Sequence, residues 1–575
     1  MNKKLPLFLL LFIPITLFGQ LTFKKLTGFD AINNSRAVGD QFGFSVAVSG
    51  DIAVVGAPFH DFDENGGDSM KDAGAAYVFY RNEGGANNWG LKKKLVATGN
   101  NARDTGDNFG NAVAISGNVI VVGAIYQDFN ASGLSEFSDA GAAYVFYKDE
   151  GGTDNWGLVQ KLVGKGNNGR LAEDNFGVSV AISGDVIVVG AYQHDFDEPG
   201  VGFVNFSGAA FVYHKDEGGT DNWGQVKKLI GPNSNNGRQA GDFFGTSVAI
   251  ENDIIAIGAN LQDYDSRGNA EVKDAGAVYI FYKDEGGTNN WGLKEKVVGS
   301  GTNGRVAEDN FGISVSLSGT ALVVGAYLQD FDAAGAGSVN AAGAAYVFYK
   351  DKGGVDNWGL VKKLAGSGTN GRTVGDNFGI AVSITGNTVV VGASQQDYNA
   401  AGDSLATGAG AVYIFQEDEG GVENWGLKEK IVATGINGRN ATDNFGNVVA
   451  TDPDIILVGV SGQDYDGSGG NFINNAGAAQ AFNYQGIDPT SVRELKSIKN
   501  VFVSSQSKNI YINFRQEGEY TVSVYDLMGR IVYEGYVTTT NGSIKELNLS
   551  HEASGYYMVK IATNKAQKTF KTFLN

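Results

Sequence analysis

Along most of the chain, short apolar runs alternate with stretches rich in Gly, Asp and Asn, and the alternation recurs with a fixed period. One copy shows the pattern. From Phe109 to Ser116 apolar and polar residues alternate, with Val113 and Ile115 sharing a face, which predicts a half-buried strand. Gly117-Asn118 reads as a turn. Val119 to Ala124 is a continuous β-branched run, suited to a strand buried on both faces. After a longer loop, Ala142 to Tyr147 (AAYVFY) predicts a third strand, rich in aromatics and Val, and Trp156 to Val163 (WGLVQKLV) a fourth.

The dipeptide Phe-Gly begins each copy, at Phe42, Phe109, Phe176, Phe244, Phe311, Phe378 and Phe445, with spacings of 67, 67, 68, 67, 67 and 67. Fourteen residues after each Phe a Gly closes the second apolar run: Gly56, Gly123, Gly190, Gly258, Gly325, Gly392 and Gly459. A fixed period of this length signals one supersecondary unit that buries its faces against its neighbours. Four antiparallel strands per copy predict the blade of a β-propeller, and seven copies predict seven blades over residues 21–484. The six Trp residues (Trp89, Trp156, Trp223, Trp291, Trp358, Trp425) each open a fourth strand, whereas the seventh copy stops at Phe482-Asn483-Tyr484. The missing strand is expected from the other chain end. Leu21 to Gly28 (LTFKKLTG) matches later fourth strands such as KKLAG at Lys362 to Gly366, so the N-terminal strand is expected to close the last blade.

The sequences Phe-Gly-x-Ser-Val, Val-Val-Gly-Ala (Gly56-Ala57-Pro58 in the first copy) and Gly-Ala-x-Tyr-Val-Phe resemble the FG-GAP repeat of integrin α-subunit propellers and related bacterial proteins. The resemblance implies a propeller and a habit of ligand binding or adhesion, and no enzyme activity. Integrin calcium loops lie between Phe-Gly and Gly-Ala-Pro. Here that space is a tight Ser-Gly-Asp or Ser-Gly-Asn turn, so those metal sites do not carry over.

Composition narrows the function. The formal charge of −19 argues against nucleic acid, whose phosphates need a basic surface. Cysteine is absent, which excludes disulfides and thiolate metal sites. Only four His occur (His60, His194, His214, His551), in no spacing that suggests a triad or metal cluster. Residues 1–20 read as a signal peptide: Lys3 and Lys4, an apolar stretch from Leu5 to Phe18, then Gly19 before Gln20. No later segment is long and apolar enough to predict a transmembrane helix.

Strand alternation puts the second-to-third and fourth-to-first loops on one face. The longer of these begins Asp-aromatic-Asp/Asn in every copy, at Asp61, Asp128, Asp195, Asp263, Asp330, Asp397 and Asp464. In the first copy Asp61, Asp63 and Asn65, then Gly66 and Asp72, match a calcium loop with oxygens at positions 1, 3, 5 and 12. Asp128, Asn130, Ser132 and Asp139 are a weaker version, and Asp464, Asp466, Ser468 and Asn475 a weaker one still. The competing reading is an Asx-turn in which the carboxylate binds backbone amides. The other loop carries Arg36, Arg103, Arg170, Arg238, Arg305, Arg372 and Arg439, each four residues before an Asp. That pattern suggests an Arg–Asp clamp between blades or a ring for an anionic ligand.

Beyond a linker at 485–497, residues 498–575 hold seven short alternating runs, which predict a small Ig-like β-sandwich. Tyr525-Asp526-Leu527-Met528-Gly529-Arg530 and Gly555-Tyr556-Tyr557-Met558-Val559-Lys560-Ile561 resemble the type A C-terminal sorting domain of type IX secretion in Bacteroidetes. Val501-Phe502-Val503-Ser504 stands where that family opens on Pro-Asn-Pro. The resemblance implies contact with the type IX secretion machinery and a secreted or cell-surface protein. The sequence thus predicts an exported binding or adhesion module for an extracellular protein or glycan, calcium being the candidate cofactor. The alternative is a secreted polysaccharide hydrolase or lyase.

Overall fold

Each copy folds into the strands that its apolar runs predict. In the second copy Phe109–Ser116, Val119–Ala124, Ala142–Tyr147 and Gly157–Leu162 pair in that order as one antiparallel sheet. The computed structural model describes residues 22–28, 36–234, 236–484, 501–506, 509–514, 518–526, 530–539, 543–549, 551, 555–562 and 567–574. The expected signal peptide (1–20) and linker (485–497) lie outside the described residues. Among these, seven four-stranded sheets run between Thr22 and Asn483, and there is no helix. The protein is all-β, with repeated four-stranded antiparallel sheets consistent with a β-propeller.

The sheets pack in a cycle. Alternate residues of one central strand enter different cores: Ile120 and Val122 pack against the first sheet with Val54 and Val78, and Val121 packs against the third with Ile187 and Val189. This is why the second run is apolar at every position, since a sheet covered on both faces has no polar side. The cycle returns to its start. Leu26, Leu457, Ala479 and Ala481 of the last sheet share a core with Val55 and Tyr77 of the first. Single parallel bridges repeat the order, from Gly74↔Phe109 round to Phe42↔Gly477.

Thr22–Leu26 is the outer strand of the seventh sheet. It pairs antiparallel with Ala478–Asn483, Phe23 opposite Phe482 and Lys25 opposite Gln480, so both chain ends build one sheet. One expectation needs adjustment. Each Trp sits one residue before its fourth strand, as Trp156 does before Gly157–Leu162. Trp89, Trp156, Trp291 and Trp425 adopt left-handed φ of 48–52°, because their N–H groups turn back to the carbonyls of Arg81, Lys148, Lys283 and Glu417.

The chain divides into two compact units after Ile487. In the second, Val501–Gln506, Asn509–Phe514 and Ser543–Asn548 form a three-stranded sheet. Ile531–Thr539, Gly518–Tyr525, Gly555–Ala562 and Gln567–Leu574 form a four-stranded one. Ile510, Ile512 and Leu547 from the first share a core with Val522, Val524, Val559 and Ile561 from the second.

Closure can be tested at one side chain. Leu26 is 2 % exposed in the core shared by the last and first sheets. Leu26→Ala is expected to cost about 2–5 kcal/mol, read by chemical denaturation, and deletion of residues 22–26 to cost more by opening a sheet edge. Loss no larger than that of an exposed terminal truncation would contradict closure through this strand.

Candidate functional site

The second-to-third loops are built on backbone amides. Asp61 Oδ1 accepts the N–H of Asp72 at 2.8 Å, and Asp63 Oδ1 accepts the N–H groups of Gly67 at 2.9 Å and Asn65 at 3.0 Å. The Gly67 N–H above all, with that of Asn65, holds the Asp63 carboxyl below the usual carboxylate range against the opposing effect of desolvation. The first bond recurs in every copy. Asp128, Asp195, Asp263, Asp330, Asp397 and Asp464 each accept the N–H eleven residues on, from Asp139, Phe206, Asp274, Ala341, Gly408 and Asn475. Phe206, Ala341 and Gly408 offer no side-chain oxygen, so the bond does not depend on a ligand at the twelfth position. In the first copy Asp61, Asp63, Asn65 and Asp72 share one turn, but an oxygen of each of the first two carboxylates is already engaged by the backbone. Among the described residues no group of three or more His, Cys, Asp or Glu is placed to hold a metal ion. The residues present fit an Asx-type turn better than a calcium cage.

The seven Arg do tie neighbouring sheets together, through partners that the spacing did not reveal. Each guanidinium donates to the backbone carbonyl of the loop-opening Asp in the preceding sheet: Arg103 to Asp61, Arg170 to Asp128, Arg238 to Asp195, Arg305 to Asp263, Arg372 to Asp330, Arg439 to Asp397. Arg36 donates to Asp464 at 2.7 Å and completes the circle. Two residues before six of these Arg, an Asn reaches forward. Asn101 donates to Gly133 O and Asn168 to Gly200 O, so one connection holds two neighbouring loops.

The Asp four residues after each Arg does something else. Asp107 Oδ2 accepts Gln127 Nε2 at 2.7 Å, and Asp242, Asp309, Asp376 and Asp443 accept Gln262, Gln329, Gln396 and Gln463 in the same way. In the first and third sheets His replaces Gln: His60 Nδ1 lies 3.1 Å from Asp40 and His194 Nδ1 2.9 Å from Asp174. Their Nε2 atoms face Lys94 at 2.8 Å and Lys228 at 3.3 Å. With Nδ1–H donated to the carboxylate, Nε2 accepts from the ammonium. An Asp–His–Lys chain resembles a catalytic relay, yet both His are fully buried and Gln stands in their place in five sheets. It is scaffold. Sequence reading missed it, although one signal was available: His60 and His194 occupy the same repeat position, directly before the loop-opening Asp.

Variation concentrates at the loop tips. The residue bridged to the loop aromatic is Ser69, Glu136, Phe203, Glu271, Ser338, Leu405 or Phe472. Phe203, Leu405 and Phe472 are more than half exposed, as are Leu134 and Val201 beside them. Rings also cluster where second strands end, with Phe44 against Phe59 and Tyr192 against Phe243, while Tyr126 is 39 % exposed.

A family model described as the FG-GAP repeat matches residues 32–79, 89–146, 156–213, 223–281, 291–348 and 358–415. The chain belongs to the FG-GAP repeat family. Each full FG-GAP match begins at a Trp and ends in the third strand of the next sheet, one strand out of step with the sheets themselves. The seventh copy is not among the matches, and it departs from the repeat at Val460 and Gln480, where Ala and an aromatic stand elsewhere. A second model, the secretion system C-terminal sorting domain, matches residues 505–575. It marks the chain for export to the cell surface or medium by the type IX machinery. No helix among the described residues is long and apolar enough to cross a membrane. No curated protein matches the chain. Among solved structures, a hypothetical selenium-binding protein from Sulfolobus tokodaii aligns over 86 % of this chain and 90 % of its own, with 8 % identity and a TM-score of 0.38.

Two outcomes are expected from this geometry. Millimolar calcium should leave the melting temperature of EDTA-treated protein unchanged and give no heat of binding. A clear rise would show that Asp61, Asp63, Asn65 and Asp72 are recruited as ligands after all. The second outcome concerns pH. Burial pushes Asp107, Asp242, Asp309 and Asp443 up to about 7. Burial also pulls Lys25, Lys161, Lys296, Lys363 and Lys430 down to about 8. An Asp with a raised folded pKa binds a proton on folding, so stability falls as pH rises from about 4 through about 7. A Lys with a lowered one releases a proton, so stability recovers only above about 8. Thermal melts should therefore give a higher melting temperature at pH 5.5 than at 7.5, with a smaller difference in Asp309→Asn. A flat or inverted profile would contradict this.

Proposed function

We propose that this FG-GAP protein is an exported, non-catalytic binding or adhesion module. The seven sheets are the blades of a seven-bladed propeller, the C-terminal unit is an Ig-like sandwich that serves export, and the second-to-third loops carry the ligand face. One observation supports this reading most. A repeat that is uniform in its interior varies at the tips of one set of loops, and there it leaves Leu134, Val201, Phe203, Leu405 and Phe472 at the surface. Exposed apolar side chains grouped on one face mark an interaction site, and aromatics are enriched among residues that dominate binding. The Arg and Asn bonds between loops hold these tips in fixed positions before a ligand arrives, which lowers the ordering cost of binding.

The test uses the full chain on arrays of extracellular glycans and proteins, followed by titration of each hit. Phe203→Ser and Phe472→Ser are expected to weaken binding about tenfold or more with unchanged melting temperature. Binding unaffected by both, or turnover of a polysaccharide hit, would overturn the reading.

A further inference from the structure

The loop face is not uniform around the ring. On the first four sheets its loops carry exposed charges, among them Glu64, Asp68, Lys71, Glu136, Glu198 and Arg267. On the second-to-third loops of the last three sheets, and on the connections that follow them, Asp403 is the one exposed charged residue among the described residues. Asp332 and Asp466 are half-buried there, and one oxygen of each is held by two backbone N–H groups. Asp332 Oδ1 accepts from Ala334 and Ala336, and Asp466 Oδ1 from Ser468 and Gly470. A chain with a formal charge of −19 thus keeps one sector of its loop face nearly free of exposed charge.

Apolar side chains stand in the same sector. Val374, Leu405, Ile436, Phe472 and Val38 are each more than half exposed. The segments that carry them touch one after another round the ring. Gly375 N–H donates to Asn340 O of the fifth sheet, Thr442 N–H to Thr407 O of the sixth, and Gly39 N–H to Asn474 O of the seventh. Each connection also meets the loop ahead of it. A Cβ added to Gly402 would stand 2.0 Å from Thr369 O, and one added to Gly469 2.3 Å from Ile436 O. Ile436 stands where the other six copies have Asn or Thr, so the apolar character belongs to this sector and not to the repeat.

The surroundings of these side chains select a class of ligand. Ser338, Asn340, Thr369, Ser404, Asn471 and Asn474 are exposed among them. Hydroxyls and amides donate and accept hydrogen bonds without carrying charge. The apolar side chains therefore have neutral polar neighbours, as Leu405 has Ser404 and Phe472 has Asn471. A protein hot spot is built differently, from Trp, Tyr and Arg gathered in one desolvated centre. None of those three residue types is exposed in this sector among the described residues. A glycan chain offers the matching surface, with apolar C–H faces between hydroxyl groups. Each sheet presents a similar small set of contacts, so a ligand that is itself a repeat meets one set after another, and weak contacts add up. The exposed carboxylates of the first four sheets oppose a polyanion. We propose that the ligand of the loop face is a neutral polysaccharide, whose chain runs over the fifth to seventh sheets between Val374 and Val38. The proposal rests on the loop-face reading above and names its ligand.

The experiment offers the full chain to the neutral polymers dextran, laminarin, galactomannan, cellulose and chitin, and to the anionic polymers alginate and polygalacturonate. Binding is read as retardation in native gels that contain the soluble polymers, and as depletion by the insoluble ones. At least one neutral polymer should bind, and its affinity should stay within about twofold when sodium chloride is raised about tenfold, since no ion pair contributes. Thr369→Glu and Ser404→Glu add charge at exposed positions. Each should keep the melting temperature and weaken binding about tenfold or more. Binding of no neutral polymer, tighter binding of alginate or polygalacturonate, or unchanged binding in both variants would overturn the proposal. A protein that binds through Phe203, with no neutral polymer bound, would sink this proposal and leave the loop-face reading standing. A loop face that binds neither polymer nor protein would sink both.

Discussion

Seven close approaches between glycines set the geometry of the ring. The Gly that stands next to last in each second strand faces the carbonyl of the Phe-Gly glycine in the next sheet. A Cβ added to Gly190 would stand 2.0 Å from Gly245 O, and one added to Gly459 would stand 2.1 Å from Gly43 O, across the point where the chain closes. No side chain fits there, so the inner strands meet backbone to backbone. Further out, each interface thickens through Val, Tyr and Phe to Trp. Sheets that are thin inside and thick outside form wedges, and wedges of one shape close into a ring. The constraint acts on the strands and spares the loops: the unit from Phe176 to Phe244 is one residue longer than the others, yet Gly190 still meets Gly245 O.

On the loop face each sheet is tied to the one before it by backbone hydrogen bonds, as from the N–H groups of Gly106, Asn108 and Phe109 to the carbonyls of Lys71, Asp72 and Ala73. The Arg-to-carbonyl and Asn-to-glycine bonds add side-chain ties between sheets, and the buried Asp–Gln pairs brace the connection within each copy. They also account for the chemistry that looks most functional. Buried carboxylates pushed up to about 7 and a His between Asp and Lys are expected at active sites. Here the same positions recur seven times, and Gln replaces His in five without changing the Asp contact. Gln reproduces the imidazole's donor toward the carboxylate, and through Oε1 its acceptor toward Lys161. A group whose function survives its own replacement by an amide is holding a shape and moving no proton.

Most of the fold was legible in the sequence because strands covered on both faces leave a plain signal. The run VIVVGA, the Phe-Gly period and the unpaired seventh outer strand together indicated the sheets and the segment that completes them. The loop face was legible only in part. Asp at the first and third loop positions marked a tight turn correctly. Spacing could not distinguish a carboxylate that binds calcium from one that binds amides, since both place oxygens around the same turn. The Arg partners were hidden for a different reason. Their acceptors are main-chain carbonyls, which every residue carries and no composition reveals.

The seventh sheet shows what a closed repeat does to function. The second to fifth copies each lie between two neighbours built alike, so substitutions in their interiors are held to the same glycine contacts and aromatic packing. The seventh is assembled from both chain ends. Its outer strand has no preceding Trp, its third strand carries Gln480 and Asn483, and Trp89 beside it has lost its hydroxyl partner. The imbalance is not confined to this interface, since Lys296, Lys363 and Lys430, at the repeat position of Lys25, also have an unpartnered Nζ. In a ring of near-identical parts, side chains packed between sheets are held by their neighbours, so recognition arises most readily where a side chain is free of that packing. The loop tips are such a place: Asn and Arg bonds hold their backbone, while the residue bridged to the loop aromatic changes from Ser69 to Phe203 to Leu405.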